Sequence, residues 1–546
     1  MSLTISRRAQ VSDDHLPDNL SPIIKQIYAS RGVSCAKELD HQVANLLGLN
    51  GESAQLKGLI PACEVLLPAI ENNSAIVIVG DFDADGATST ALMMSALSMF
   101  GSQNHSFLVP NRFEYGYGLT PEIVDIAANN GAEVLVTVDN GISCIAGVNR
   151  AKALGLQVVV TDHHLPSKET PNADAIVNPN QVGCPFASKA LAGVGVAFYL
   201  MLSLRKYCRE QGYFTKRAMP EPNIAQLLDL VALGTVADVV PLDANNRILV
   251  AQGLKRIRAG QTRPGIQALI DIAKRDQSQL VASDFGFALG PRINAAGRLD
   301  DMTYGINCLL ADDLANARIM ARDLDDLNKA RREIEQGMQA EAETIFKALN
   351  FTADNLPSAI ALYQSDWHQG VIGIVAGRLK EKFHRPCIVF ANGSDDSNEN
   401  CEIKGSARSI IGLHIRDLLE HIASQHPALI LKFGGHAMAA GLSIKAHNFI
   451  KFQKIFNDTA QQWLTKESLQ SILLSDGELP AQNMTLAFAD QLRNAGPWGQ
   501  SFLEPLFDDE FTLVQQRLVG EKHLKLVVKK SGQVFDAIAF NIDIKA

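Results

Sequence analysis

Three acidic residues stand at two-residue spacing in the segment Asp81-Phe82-Asp83-Ala84-Asp85, just before a Thr- and Ser-containing stretch typical of a helix start. Alternate residues at a strand end point the same way, so we expect the three carboxylates to converge. At an effective dielectric constant of about 20, two like charges about 4 Å apart repel by roughly 4 kcal/mol. Such a cluster needs protons or cations. A divalent metal site is therefore favoured over the alternative, a helix-capping cluster.

Three further positions end apolar runs in the same way. They are Asp139, the triplet Asp162-His163-His164, and Asp238. Taken alone, Asp139 fits a turn before Asn140-Gly141 equally well. Consecutive histidines beside a carboxylate offer nitrogen ligands to a metal, and Asp238 would be costly to bury without a cation. We therefore expect these positions to join the first acids in one centre.

Together these side chains suffice for two cations about 3.5 to 4 Å apart. That arrangement activates a water molecule and stabilises the attacking and leaving oxygens in phosphoryl hydrolysis. Mixed Asp and His ligation favours Mn²⁺, with Mg²⁺ as the alternative. The predicted chemistry is metal-dependent hydrolysis of a phosphate ester.

Apolar runs of strand length must position these side chains. The runs are residues 75–80, 134–138, 158–161 and 230–237. Helical patterns alternate with them, and the runs are rich in Val and Ile. This predicts an α/β fold whose doubly wound parallel sheet is covered on both faces. Ligands of such sheets bind beyond the carboxyl ends of the strands, where residues distant in sequence meet.

Net charge, hydropathy and cysteine content indicate the cellular compartment of the protein and the kinds of partner it can bind. The formal charge is −9 and the pI is about 5.8, so a nucleic acid would need a local basic cleft. No charge-free run reaches membrane-spanning length, and residues 1–10 lack the apolar segment of a signal peptide. The eight cysteines are scattered without a CxxC pair. These features favour a cytoplasmic protein with reduced thiols and no membrane contact.

The 546 residues exceed what one hydrophobic core holds. Apolar residues recur at helical spacing between residues 311 and 349 without an interrupting proline. A helix of that length would extend about 55 Å, so we expect a strut that joins two lobes on either side of the active-site cleft. A coiled-coil dimerisation helix is the alternative. No clear unpaired apolar seam is found elsewhere, which favours a monomer.

The predicted organisation has five parts. They are an N-terminal arm (1–45), a catalytic domain (46–310), a connecting helix (311–350), an α/β substrate-binding domain (351–460) and a β-barrel module (461–546). The arm gives weak helical hints and no catalytic candidate. The barrel module carries a lysine cluster at residues 522–530. Because the chain stops soon after the last strand-like segment, we expect the barrel to be incomplete.

The acidic motifs resemble the four signature motifs of the DHH phosphoesterase superfamily. The matching segments are residues 81–85, Asp139, residues 162–164 and Asp238. Residues 367–376, 405–409 and 433–436 are similar to the DHHA1 domain that accompanies it. Within the superfamily, residues 110–119, 191–197, 287–299 and 327–332 and the terminal barrel, which is of the oligonucleotide-binding (OB) type, resemble the bacterial RecJ branch. The resemblance runs from about residue 20 to the end.

The resemblance implies a 5′→3′ exonuclease that is specific for single-stranded DNA. It implies two-metal-ion hydrolysis of phosphodiester bonds, release of 5′-mononucleotides, and a role in DNA repair and recombination, with a helicase and a single-strand-binding protein as partners. The implied metal ligands are Asp81, Asp83, Asp85, Asp139, His163 and Asp238. The implied catalytic residues are Asp81, Asp162, His163 and His164, with His164 beside the scissile phosphate.

The later motifs supply candidate substrate contacts. Arg408, with a serine on either side, offers a guanidinium fork and hydroxyls to a terminal phosphate. The glycine pair 434–435 would let backbone amides approach an anion. For each arginine, the alternative is an ion pair at a surface or domain interface. The full predicted set is Arg112, Arg292, Asn294, Arg298, Ser406, Arg408, Ser409, Gly434, Gly435 and His436.

Two other functions stay open at this point. The first is a phosphoesterase that acts on very short oligonucleotides or cyclic dinucleotides, although the strut and the barrel favour a long polymer. The second is a catalytically silent scaffold that binds single strands, although the intact acids and the His163-His164 pair favour an enzyme.

Overall fold

The structure is a computed structural model. It describes residues 4–48, 55–111, 115, 117–348, 356–393, 401–520 and 523–542. The predicted substrate contact Arg112 lies outside these residues, as does Lys522 of the lysine cluster.

The first lobe is built on a five-stranded parallel sheet. Its strands are β2 (Ile76–Val79), β3 (His105–Leu108), β4 (Val134–Val138), β5 (Gln157–Thr161) and β6 (Ala175–Val177), in the spatial order β3-β2-β4-β5-β6. Alternate residues of these strands pack into two separate hydrophobic cores, one on each face of the sheet. The predicted doubly wound α/β fold is confirmed. The strand order reverses between β2 and β4, and such a switch point is where ligands bind in this type of sheet.

The helices of the first lobe pack on both faces of this sheet and on one another. In chain order they are α1 (Pro22–Ala29), α2 (Leu59–Glu71), α3 (Ala84–Met99), α4 (Pro121–Asn129), α5 (Ile145–Ala153), α6 (Gly193–Glu210), α7 (Tyr213–Lys216), α8 (Leu228–Ala237), α9 (Ala244–Arg258), α10 (Pro264–Ile272), α11 (Ala282–Asp284), α12 (Gly290–Leu299) and α13 (Thr303–Leu310).

The fourth predicted strand is wrong. Residues 230–237 belong to helix α8, which packs against α3 and α9. Every side chain from Leu228 to Thr235 is buried. A helix enclosed on all sides needs no polar face, so its sequence lacks the 3.6-residue periodicity that separates helix from strand. Asp238 therefore follows a helix end rather than a strand end.

The predicted strut is helix α14 (Leu314–Ala348). Ala317, Ala321 and Leu324 of this helix pack into the core of the first lobe. Met338 and Ala342 pack into a core of the second lobe. One helix thus joins both lobes, with apolar residues from each of its halves packed into a different core. The connecting-helix prediction is confirmed.

The second lobe has a mixed five-stranded sheet. Its elements are β7 (Ile360–Tyr363), α15 (Ile372–Phe383), β8 (Cys387–Asn392), β9 (Glu402–Arg408), α16 (Ile415–Gln425), β10 (Lys432–Gly435), β11 (Ala439–Lys445) and α17 (Phe449–Trp463). The spatial order is β10-β11-β9-β8-β7, in which only β7 and β8 are parallel. This order brings Arg408, at the end of β9, near the Gly434-Gly435 end of β10.

The C-terminal part contains β12 (Ile472–Ser475), α18 (Leu486–Asn494), β13 (Thr512–Val519), β14 (His523–Lys530) and β15 (Gln533–Ala539). The last three strands form an antiparallel sheet. In the part of the chain that the structure describes, this sheet is open and does not close into a barrel. Between β12 and β13 the chain returns to the first lobe, where Phe488 and Phe502 join its core.

The N-terminal arm contacts β12 and the residue that follows it, Asp476. Strand β1 (Thr4–Arg7) pairs in parallel with β12, and Arg31 makes a two-pronged ion pair with Asp476. We call β1, Arg31, β12 and Asp476 the arm contact. The weak helical hints gave no sign of it, because its partners lie more than 440 residues apart in sequence. Within the described ranges, none of the helices combines the length and apolar character needed to cross a membrane.

Candidate active site

The carboxyl ends of the first-lobe strands deliver the predicted ligands to one place. Residues 81–85 follow β2, Asp139 follows β4, and the Asp162-His163-His164 triplet follows β5. Because β2 and β4 are the neighbours at the switch point, their acids meet at the sheet edge. Asp238 reaches the same place from the C-terminal end of α8.

The imidazole of His163 lies at the centre of these acids. Its Nε2 is 3.1 Å from Oδ1 of Asp139, 3.5 Å from Oδ2 of Asp238 and 4.0 Å from Oδ2 of Asp85. Asp81 and Asp83 form a second group with Asp139, in which one ligand atom from each lies within 4.8 Å of the others. Asp139 belongs to both groups and links them.

Three polar atoms that face one another here have no hydrogen-bond partner among the described residues. Oδ1 of Asp139, Nε2 of His163 and Oδ2 of Asp238 are buried and take no hydrogen bond from any described residue. Buried polar atoms without partners are costly. A neutral imidazole among carboxylates is a donor set that suits a divalent transition metal. The residues present therefore fit a metal ion.

The pKa values of the acids show the cost of this convergence. Burial, followed by the charge of Asp83, raises the pKa of Asp85 to about 7. Burial and the charge of Asp85 likewise raise the pKa values of Asp139 and Asp238 well above the usual range. Burial lowers the pKa of His163 to about 3, so its ring is neutral near pH 7 and free to act as a ligand.

Backbone groups hold two of the acids in place. The carboxylate of Asp85 accepts hydrogen bonds from the amides of Gly193 at 2.6 Å and Val194 at 3.0 Å, at the start of α6. Asp83 caps α3 by accepting from the amides of residues 85 and 86, so the capping alternative holds for this residue alongside its place in the cluster. A Cβ on Gly193 would lie 2.7 Å from Cβ of Asp139, which only glycine avoids.

Asp162 has a different role from the other acids. Its Oδ1 lies 2.7 Å from Nδ1 of His164, and its Oδ2 accepts from the amide of Ile142. Burial works against the charged form of His164, but the hydrogen bond and charge of Asp162 raise the His164 pKa to about 9. Burial would also raise the pKa of Asp162, yet the His164 bond lowers it. Asp162 thus orients His164 rather than joining the ligand groups.

A cleft of about 1080 Å³ separates this centre from the second lobe. The predicted residues that line it come from both walls. They are Asp83, Asp162, His164, Asn294 and Arg298 on the first lobe, and Ser406, Arg408, Gly434, Gly435 and His436 on the second. The rings of His164 and His436 stack across the cleft, with centroids 5.8 Å apart and planes 18° apart. The predicted cleft between the lobes is therefore present.

Some predicted substrate contacts are already engaged elsewhere. Arg292 pairs with Asp325 of the strut at 2.8 Å and does not line the cleft. The Ser409 hydroxyl is buried and donates to the carbonyl of Leu413. Asn294 accepts from the amide of Ala84 at the start of α3, although it still lines the cleft. For Arg292 the structure favours the interface ion pair that was the alternative interpretation.

Other residues at the site were not among the predictions. The Tyr117 hydroxyl donates to the carbonyl of Asp139 at 3.1 Å and lies 3.3 Å from Nδ1 of His164. Asn178 and Asn180 donate to the carbonyls of His164 and His163, respectively. The two asparagines follow β6, so the pattern of polar residues after apolar runs could have found them.

Comparisons with known proteins agree with this architecture. Residues 75–235 match the DHH family, N-terminal domain, residues 356–462 match the DHHA1 domain, and residues 475–546 match the RecJ OB domain. The chain is 56% identical over 541 residues to the single-stranded-DNA-specific exonuclease RecJ of Salmonella typhimurium, covering 99% of this chain and 92% of that protein.

Solved structures give the same relationship. The crystal structure of RecJ in complex with Mn²⁺ from Thermus thermophilus has a TM-score of 0.77 and 29% identity, covering 96% of this chain and 71% of that chain. The Mg²⁺ complex from the same organism has a TM-score of 0.72 and 27% identity, covering 96% and 70%. Sequence identity over nearly the full length, three matched domains and a shared fold lead to one conclusion. The chain belongs to the RecJ family of metal-dependent exonucleases.

Proposed function

We propose that this chain degrades single-stranded DNA from its 5′ end and releases 5′-mononucleotides. The proposal extends to it the substrate that its relatives carry in their names, single-stranded DNA. We further propose two bound ions, with Mn²⁺ favoured and Mg²⁺ as the alternative, since related structures contain one or the other. The observation that carries the proposal is the acid and histidine cluster facing Arg408 and His436 across one cleft.

The residues of the site have separate roles in hydrolysis, as metal ligands or as a hydrogen-bond donor to the phosphate. Asp85, His163, Asp238 and Asp139 would hold one ion, and Asp81, Asp83 and Asp139 would hold the other. When bound, the ions supply an activated water and neutralise charge on the phosphate oxygens. His164, kept protonated by Asp162, is positioned to donate a hydrogen bond to the scissile phosphate as negative charge develops there.

The second lobe would orient the strand. Arg408 Nη1 lies 3.2 Å from Oγ of Ser406, so a guanidinium and a hydroxyl sit side by side on the cleft wall. Such a pair suits a terminal phosphate. Binding the 5′ end there would place the first phosphodiester bond opposite His164 and so set the direction of degradation.

Substrate length and label position test the proposal. The full chain is incubated with Mn²⁺ and a 5′-labelled single strand, the same strand in a duplex, and a dinucleotide. We expect labelled mononucleotide as the first product from the single strand and little from the duplex. Turnover of the dinucleotide alone would instead support the short-substrate phosphoesterase, and binding without cleavage would support the silent scaffold. Matched 3′-labelled strands check the direction.

The cellular setting is also part of the proposal. A nuclease restricted to single strands needs an activity that exposes them, so we propose a helicase and a single-strand-binding protein as partners in DNA repair and recombination. We propose that it acts as a cytoplasmic monomer. Light scattering of the purified chain with and without DNA tests the oligomeric state.

A further inference from the structure

Two loops hold the proposed metal ligands in place. One is the segment 188–194, which leads into α6. The other is the segment 238–243, which joins α8 to α9 and begins with the ligand Asp238. Packing of α6 against α8 brings the loops together, and side-chain contacts between the loops then fix their relative position.

The first loop fixes one of the ligands, Asp85. The amides of Gly193 and Val194 hold the carboxylate of Asp85. The Oδ2 atom of Asp85 in turn lies 4.0 Å from Nε2 of His163. The position of this loop therefore sets the distance between two proposed ligands.

The second loop is strained. Val239, directly after the ligand Asp238, has φ of 63°. A β-branched residue in the left-handed region is a rare and costly conformation that persists only when neighbouring contacts impose it. The loop therefore depends on its surroundings to keep Asp238 pointed at His163.

One side chain connects the two loops. Asn246, in the first turn of α9, is fully buried, and its Nδ2 donates to the carbonyl of Ala190 at 2.6 Å and to the carbonyl of Pro241 at 2.9 Å. A second link runs beside it. Oδ2 of Asp243 accepts from the Ser188 hydroxyl at 2.6 Å, and Oδ1 of Asp243 accepts from the Asn246 amide.

Asn246 also bears a cost that simple packing would not require. Its Oδ1 is buried and takes no hydrogen bond from any described residue. An unsatisfied buried acceptor destabilises a fold. An apolar residue could fill the same volume without that cost, but it could not donate to both loops.

We propose that Asn246 is a positioning residue for the metal centre, which sets Asp85 and Asp238 on either side of His163 at the spacing that an ion requires. This inference rests on the proposed metal-dependent function. Groups that orient metal ligands without touching the metal typically contribute about 10- to 100-fold to metal affinity. Loss of the Asn246 amide should therefore weaken metal binding before it affects DNA binding.

Asn245 provides a matched control. It is also buried in the first turn of α9, and its Oδ1 accepts hydrogen bonds from the Leu47 amide and the Tyr199 hydroxyl. Neither partner belongs to the two loops. Asn245→Ala should lower stability through the same kind of lost side-chain bonds and leave metal affinity unchanged.

The test is calorimetric titration of the full chain with MnCl₂ in the absence of DNA. We expect Asn246→Ala to bind Mn²⁺ about tenfold more weakly than wild type, and Asn245→Ala to bind like wild type. The Mn²⁺ concentration for half-maximal hydrolysis should shift in parallel, with the KM for DNA unchanged at saturating Mn²⁺. Wild-type affinity in folded Asn246→Ala would overturn the inference, as would equal weakening in both variants.

If Asn246→Ala does not fold, a milder variant can be tested instead. Ser188→Ala removes only the hydroxyl that donates to Asp243. We expect a smaller loss of Mn²⁺ affinity in the same direction, and unchanged affinity would overturn the inference. If the wild-type chain bound no Mn²⁺ at all, the proposed metal-dependent function itself would be rejected, which separates the two failures.

Discussion

Two regions of this protein that bury ionisable side chains, the arm contact and the metal-ligand cluster, differ in how those side chains are paired. In the arm contact, Nη1 and Nη2 of Arg31 lie 2.7 and 2.9 Å from the two carboxylate oxygens of Asp476. Those side chains are only 2% and 5% exposed. In the cluster, acids face acids around a neutral His163, and their pKa values rise.

The two regions differ in what completes them. Folding alone brings Arg31 and Asp476 together, so each charge gains its partner in the native state. Folding brings the acids of the cluster together around a neutral His163, with the positive charge of His164 paired to Asp162, so the repulsion that remains is relieved by protons or metal ions. Removing one carboxylate should therefore have opposite effects on stability in the two regions, and this gives a way to distinguish a binding site from a structural contact.

The largest effect is expected at the shared ligand. Asp139→Asn keeps the shape of the side chain but removes its charge, so the rate of DNA hydrolysis with Mn²⁺ should fall by roughly 10²- to 10³-fold. In EDTA the same variant should unfold at a higher temperature than wild type, because the charge repulsion is gone. Activity close to that of wild type would remove Asp139 from the metal centre.

The pH dependence of that stability difference sharpens the test. Folding raises the pKa of Asp139 through burial and the charge of Asp85. An acid whose pKa is higher in the folded chain destabilises the fold increasingly as pH rises above its unfolded pKa. Since asparagine does not titrate, the advantage of Asp139→Asn in EDTA should be small near about pH 4 and grow toward about pH 8. A constant difference would contradict the assigned cause.

Much of this centre could be predicted from sequence because its signals are local. A strand-length apolar run followed by an acid is visible within ten residues, as at Val134–Val138 before Asp139. The parallel-sheet rule then brings such ends together. Asp238 lies at the predicted site although the element before it is a helix and not the predicted strand, since either element ends at the same residue.

The features that could not be predicted depend on contacts between residues whose pairing leaves no local pattern in the sequence. The orienting role of Asp162 depends on where the His164 ring turns. Arg292 forms an ion pair with Asp325, which lies 33 residues later in the strut, and so does not reach the cleft. The arm contact joins residues 445 positions apart, and nothing near Arg31 in the sequence indicates its partner.

The second prediction concerns the arm contact. Asp476→Asn leaves the buried Arg31 charge without its partner, and breaking a buried ion pair on one side typically costs about 3 to 5 kcal/mol. We expect a loss of about 3 kcal/mol in the free energy of unfolding by urea. Mn²⁺ affinity should stay at the wild-type value, which is the reverse of the pattern for Asp139→Asn. An equal or higher stability would show that the contact does not hold the arm.

A third prediction concerns Arg408, on the second-lobe side of the cleft that faces the acids. Arg408→Ala should reduce the preference for a 5′-phosphate over a 5′-hydroxyl strand about tenfold, which corresponds to one charged hydrogen bond of roughly 1.5 kcal/mol. The measurement is kcat/KM for the two strands. Arg292→Ala is the control, because Arg292 pairs with Asp325 outside the cleft and its loss should leave the preference intact. If both variants behaved alike, the phosphate pocket would be wrong.

The smallest effect is expected at the outer edge of the arm contact, where Arg7 pairs with Asp508 and Glu478. The Arg7 side chain is 51% exposed, so solvent screens its ion pairs and holding them costs side-chain entropy. Arg7→Ala should therefore change the urea midpoint far less than Asp476→Asn, and the small change should disappear in high salt. A loss as large as that of Asp476→Asn would mean that the pairing of β1 with β12, rather than burial of the Arg31 charge, carries the stability of the arm.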